Sequence, residues 1–361
     1  MSKAICVVCA VAIMAASSGP AVLPDISGLP ELKLELVADF SDHPKAGLPW
    51  VGRIGGGEFV FFDVKLKQVL RMPLAGGEVL GIGSPGEGPG EYQGVQDIWL
   101  DGEIVYVLDG RGRIIAFRRD GKVTKDMKPP RRFERFVGRR GDVFYLEGRN
   151  TSPEAYFENV VASWREGGPA AMLLKSAADV MTTKASDLAG KQMASGHFTL
   201  SEPAFAMFGD RIIEASGNRY RLRFFDRSGR AAETWDVRAP EPEFAGQMYK
   251  SFNGKRSAYA VRAIFPGISG LAVVGNYYRN GKPRLDCFDS QGRVMKSYLI
   301  PLAWEAPFSR CQIEGEYLIY FFFPGGLPRL SPPQPPFVGR GTNIFLRSDS
   351  LKARPGRVED R

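Results

Sequence analysis

Carboxylates and glycines gathered between residues 81 and 97 are where this chain could do chemistry. Gly81, Gly83 and Gly86 have the spacing of a dinucleotide-binding turn and follow an apolar stretch. Such a turn needs a helix opening at its end, so that backbone amides and the helix dipole meet the pyrophosphate. Pro85, Gly86, Gly88, Pro89 and Gly90 forbid that helix, which excludes nucleotide binding here. What remains is a loop, Gly86-Glu87-Gly88-Pro89-Gly90-Glu91-Tyr92, whose glycines permit sharp turns and close backbone approach. Glu87, Glu91 and Tyr92 are its binding candidates, and Asp97 follows in the next apolar run. Two roles stay open for Glu91 and Tyr92. Either they contact a ligand at a channel mouth, or Glu91 caps backbone donors while Tyr92 packs between structural units.

Histidine chemistry has little material, since the chain holds 2 histidines, His43 and His197. A Ser/His/Asp triad or a histidine-rich metal site is therefore not expected, and no residue is assigned a catalytic role. His197 lies in a long insertion and is kept as a binding candidate beside the plainer reading of a solvated loop histidine. Glu91, Asp97, Asn218 and Asn276 are oxygen donors that could meet a divalent cation on an axis. Their spacing shows no convergence, so no resident cofactor or metal is expected. Phe244, Met248, Tyr249 and Phe252 recur at helical spacing within 238–260, and Tyr249 joins Arg262 and Asn276 among the binding candidates.

The elements that must position these residues repeat. An apolar strand ending in an aromatic residue, then polar residues and Gly, occurs at 114–121, 221–229 and 284–292, with looser copies at 72–76 and 164–168. A period of this length signals a propeller or repeat array. Each copy extends into four short strands divided by turn residues. The units run 49–82, 96–126, 132–175, 204–237 and 261–300, and a sixth has three strands between 308 and 347. Alternating apolar and polar residues at 32–38 supply the missing strand, so the N-terminal strand is expected to close the ring in the last blade. The fold expected is all-β: a six-bladed β-propeller of four-stranded antiparallel blades over 32–347. Its long connections, 83–95, 176–203, 238–260 and 324–341, would emerge on one face, where binding residues usually sit.

With the repeat and the Gly-x-Gly-Pro-Gly-Glu-Tyr loop in view, the chain resembles the exported six-bladed β-propeller proteins of bacteria, related to the NHL-repeat propellers. In that family a Gly-x-Gly-Pro-Gly-Glu-Phe/Tyr loop follows the first blade. The resemblance spans about 32–347 and implies a shape and an export route. This chain departs from the pattern in its 176–203 insertion and in its proline-rich last blade at 324–336.

The chain ends fit that route. Lys3, an apolar run over 4–16 too short to span a bilayer and a small-residue exit read as a signal peptide within 1–21, cleaved between Ala16 and Ala21. The mature chain would then have no transmembrane segment and would be periplasmic or extracellular. Removal of Cys6 and Cys9 leaves Cys287 and Cys311, either paired in a disulfide or left as small apolar residues. The net charge of +8 is dispersed, apart from a basic stretch at 128–140 whose Phe133, Phe136 and Val137 suit an inner strand better than a polyanion surface. Nucleic acid is not expected as a partner. A polar basic tail occupies 348–361. The function expected is a monomeric exported scaffold holding a protein or small-molecule ligand on its long-loop face. The alternative is a metal-dependent lactonase or hydrolase of the six-bladed type.

Overall fold

The computed structural model describes residues 21–32, 35–39, 49–150, 158–177, 179–183, 196–201, 203–215, 220–238, 261–266, 270–279, 282–301, 310–314, 317–321 and 342–346. The stretch 239–260 with Tyr249, Asn218, the proline-rich run 324–336, the tail 348–361 and residues 1–20 of the expected leader lie outside them.

Strands pair in sequence order into meandering antiparallel sheets. Sheet A contains Pro49–Gly55, Glu58–Asp63, Gln68–Pro73 and Leu80–Ile82. Sheet B contains Val95–Asp101, Ile104–Asp109, Ile114–Arg118 and Val123–Met127. Sheet C contains Arg135–Arg140, Val143–Arg149, Glu158–Trp164 and Ala171–Ala177. Sheet D contains Ala204–Phe208, Arg211–Ala215, Arg221–Phe225 and Ala231–Arg238. Sheet E contains Val261–Pro266, Leu271–Arg279, Lys282–Phe288 and Val294–Leu299. Sheet F joins Arg310–Glu314, Tyr317–Phe321 and Thr342–Leu346 to the early strand Glu35–Asp39, which pairs antiparallel with Thr342–Leu346.

Two features depart from the expected set of equivalent blades. Five sheets have four strands, but sheet D has five, because Ala21–Val22 adds in parallel to its outer strand at Val237 and Arg238. The 176–203 insertion also carries structure of its own, a hairpin of Asp179–Thr183 with Gly196–Ser201. A third, smaller shift concerns the first strand of sheet C, which begins at Arg135 and not at Arg132. Phe133 is buried ahead of the strand, so its apolar character marks packing and not pairing.

The recurring phrase is the third strand and its exit turn. Asp226 Oδ1 accepts hydrogen bonds from the amides of Ser228 at 2.8 Å and Arg230 at 3.1 Å, and Asp289 Oδ1 does the same from Gln291 and Arg293, both at 2.9 Å. Gly229 and Gly292 sit at φ of 82° and 79°, which a side chain would strain. The aspartate satisfies the turn's amides and pairs with the arginine just before the next strand. Serine 228's hydroxyl and these amides hold the Asp226 carboxyl well below the usual carboxylate range.

First strands adjoin one another from A to B, B to C, C to D, D to E and E to F, and the first two strands of F meet the first strand of A. Apolar clusters fill the spaces between successive sheets. Phe62, Val69, Ile98 and Phe117 pack between A and B, and Tyr106, Leu108, Phe144 and Trp164 pack between B and C. Leu222, Trp235, Val273 and Phe288 pack between D and E, where Leu23 joins them. Inner strands are thus placed by packing on both faces, which is why their residues are pinned so firmly below.

Of the two readings for the cysteines, Cys287 is a free thiol in the third strand of sheet E. Burial, then the neighbouring Asp286 carboxylate, pushes its pKa up to about 12. A thiol so protonated is a poor nucleophile at pH 8. Treating the native protein with iodoacetamide at pH 8 is expected to leave the Cys287 peptide unmodified by mass spectrometry, with full labelling after denaturation.

Candidate functional site

The glycine-rich loop is a clamped structure. Ser84–Pro85 pairs in parallel with Glu91–Tyr92, and the turn closes through Gly86 N to Tyr92 O at 3.0 Å and Glu91 N to Gly88 O at 3.1 Å. Glu91 Oε2 accepts from Gly88 N at 2.8 Å, so its carboxylate points back into the loop. Gly86 is required by this approach, since a Cβ there would lie 2.0 Å from Glu91 Oε2. Arg113, from the second-to-third turn of sheet B, ties the loop down. Its guanidinium donates to Glu91 O at 2.5 Å, Asp109 Oδ2 at 3.1 Å and Asp126 Oδ2 at 3.1 Å, while Asp126 also accepts from Gly90 N at 3.2 Å. Glu87 instead faces solvent and accepts from Gln93 and from Arg111. The Gln93 amide first, then the Arg111 guanidinium, hold its carboxyl below the usual range.

Tyr92 is fully buried between sheets A and B. Its ring meets Phe62 and Phe117 edge-on, at centroid distances of 6.5 and 6.2 Å. Its hydroxyl accepts from Val69 N at 2.7 Å and donates to Ile82 O at 3.0 Å, bridging two strands of sheet A. Burial pushes its pKa up to about 12. Tyr92→Phe leaves that amide and carbonyl unmet and is expected to cost about 1–3 kcal/mol. Urea denaturation should show a lower midpoint at unchanged slope.

Asp97, near the start of the inner strand of sheet B, joins three sheets. It accepts from Arg53 Nη2 of sheet A at 3.2 and 3.3 Å and from the Phe136 amide of sheet C at 2.8 Å. Arg53 Nε also donates to Ile98 O at 2.9 Å. Asp97 is 4% exposed.

The other candidates lie on other elements. Arg262 and Asn276 lie in the first and second strands of sheet E, each at a register irregularity, and His197 stands opposite Thr182 in the insertion hairpin. The basic stretch has a structural use. Arg139 lies over the Tyr106 and Phe144 rings at 4.8 and 5.2 Å, and Arg131 over Phe133 at 5.6 Å.

One feature was not signalled by any motif. A cleft of about 370 Å³ opens between sheets A and B, lined by Arg53, Ile54, Trp99, Leu100, Glu103 and Arg119 among others. It lies where first strands turn into second strands, opposite the end that carries the glycine-rich loop. Arg119 braces it by donating to Gly55 O at 3.0 Å, Gly102 O at 3.1 Å and Glu58 Oε2 at 2.7 Å. A wall formed by two consecutive strand ends and a distant arginine leaves no local sequence pattern.

No family model matches this chain, and no curated protein matches it. Among solved structures, one similar fold is a Bacteroides fragilis protein described as exported, with 12% identity, coverage of 91% of this chain and 98% of that one, and a TM-score of 0.51. Another is a member of the DUF4221 family from Bacteroides vulgatus, with 10% identity, 88% and 98% coverage, and a TM-score of 0.52. At these identities the likeness concerns fold alone. Fold and sheets together make this chain an all-β protein of the β-propeller class, with four-stranded antiparallel blades. No helix among the described residues is long and apolar enough to cross a membrane.

Proposed function

We propose that this chain is an exported β-propeller that works as a binding scaffold. In this reading sheets A to F form one six-bladed ring closed by Glu35–Asp39 in the last blade, and the ligand or partner sits on the face bearing the glycine-rich loop. The similar fold of a protein described as exported, together with the leader-like N-terminal sequence, supports the export route. The observation that carries the binding reading is the clamp on the loop. Arg113, Asp126 and Glu91 fix the backbone from beneath, and Glu87 and Arg111 are presented outward as a paired acid and base on a preorganised surface. A rigid loop loses little freedom on binding, so polar contacts made there retain more of their interaction energy.

The test uses thermal shift against libraries of peptides and oligosaccharides. A genuine ligand at 100 times its Kd stabilises the native state by about 2.7 kcal/mol. For ligands that shift the wild type, the Glu87→Ala/Arg111→Ala variant is expected to weaken affinity at least about tenfold, a loss of about 1.4 kcal/mol. Trp99→Ala, in the opposite cleft, should leave affinity unchanged. Affinity that depends on Trp99 and ignores Glu87 would move the site to the cleft. A stoichiometric divalent cation in the purified protein, with hydrolysis that depends on it, would replace the scaffold by the metal-dependent hydrolase.

A further inference from the structure

The segment 21–32 crosses the outer rims of two sheets. Ala21–Val22 extends sheet D in parallel, and Leu23 enters the apolar cluster between D and E. At the far end Leu299 N donates to Pro30 O at 2.9 Å and Leu32 N donates to Leu299 O at 2.8 Å, which edges sheet E. Leu23, Leu29 and Leu32 are 3%, 9% and 2% exposed. Midway, Pro24 O accepts from Arg284 Nη1 at 2.7 Å across a separation of 260 residues. Arg284 is itself buried, bound to Asp286 at 2.7 Å, and has its other amino group on Ser297 Oγ at 3.2 Å. The next described residues, Glu35–Asp39, form the outer strand of sheet F.

We propose that residues 21–32 are a clasp that seats late, after sheets D and E have formed, with Arg284 as its catch. The strand partners Val237 and Arg238, the Leu299 backbone, Arg284 and the apolar cluster that takes Leu23 all belong to sheets D and E, so these contacts cannot form until those sheets exist. The contacts it makes are among the most distant in sequence, and the loop closure they need is costly and slow. Unclasped, the outer edge of sheet D is unpaired and the buried Arg284 lacks the Pro24 carbonyl, while sheets A, B and C keep all their described partners. Anything that draws the chain ahead of Ala21 away from the rim of sheet D would favour the unclasped state. An attached leader would do this until its removal. That last link rests on the exported reading; the clasp itself does not, and the experiment below fails or succeeds independently of export.

Hydrogen exchange on the full chain tests the clasp. In Leu29→Asp, the Leu299 amide and its neighbours in Val294–Leu299 are expected to exchange at least about tenfold faster, with Ile104–Asp109 of sheet B unchanged. Unchanged exchange at Leu299, or equal acceleration across all sheets, would overturn the proposal. Pulse labelling of refolding wild-type protein supplies a measurement free of any folding defect in the variant. Leu299 is expected to gain protection after the amides of Ile104–Asp109; simultaneous protection of both would also overturn it.

Discussion

Replacing Arg284 by Met is expected to destabilise the protein by about 3–5 kcal/mol, because it strands a buried carboxylate. Arg284 and Asp286 are 1% and 0% exposed, and Asp286 also accepts from Tyr220 Oη at 2.8 Å and from Ser297 Oγ. Taking away the guanidinium removes the charge that offsets Asp286 and the donor to Pro24 O, while leaving the cost of desolvating the acid in place. At about 2.1 cal/mol/K of unfolding entropy per residue, a chain of 361 residues loses about 1.3 °C per kcal/mol, so the melting temperature should fall by about 4–7 °C. The double variant Arg284→Met/Asp286→Leu separates the two parts of the effect. With both charges gone no ion is left buried, so most of the lost stability should return, although Tyr220 and Ser297 lose an acceptor. Denaturant unfolding of the wild type and three variants (the two single and the double) completes the cycle. A single variant that costs less than about 1 kcal/mol, or a double variant no better than the single, would show that the pair is not an isolated ionic unit.

Much of the sheet architecture was legible in the sequence, because the signals that fix it are local. An aspartate after the last aromatic of a strand, a glycine three residues on and an arginine after it encode one turn, seen at Asp226–Arg230 and Asp289–Arg293. Alternation and turn residues then set most strand ends within two residues. The segment 21–32 escaped, and for a physical reason. With Pro24, Gly28 and Pro30 it has no alternation to read, and its burial comes from leucines meeting sheets D and E, far along the chain. The individual roles of the acids were illegible in the same way. A carboxylate looks alike in sequence whether it faces a ligand or a buried amide. Glu91 caps Gly88 through a loop closed on itself, and Glu87, four residues earlier, points to solvent. The cleft lined by Trp99 and Arg119 needs sheets A and B side by side before it exists at all.

Asp97→Ala is expected to be the next most damaging change, at about 2–4 kcal/mol. The side chain does three jobs at once. It holds the charge of Arg53, whose side chain is 18% exposed, it satisfies the buried Phe136 amide, and so it fixes the inner strands of sheets A, B and C relative to one another. Solvent reaches Arg53, which is why the expected loss is smaller than for Arg284. Asp97→Asn keeps an acceptor for the Phe136 amide but gives up the ion pair, so it should cost about half as much. The ordering Ala worse than Asn, in calorimetry, is therefore the signature of a tether. A role as an axial cation ligand predicts a different pattern: the loss in both variants would shrink to that of the wild type once chelator strips the cation. Running the three proteins with and without chelator distinguishes the two. If the variants and chelator-treated wild type melt together, Asp97 serves an ion; if chelator changes nothing and Ala falls below Asn, it serves the three sheets it touches.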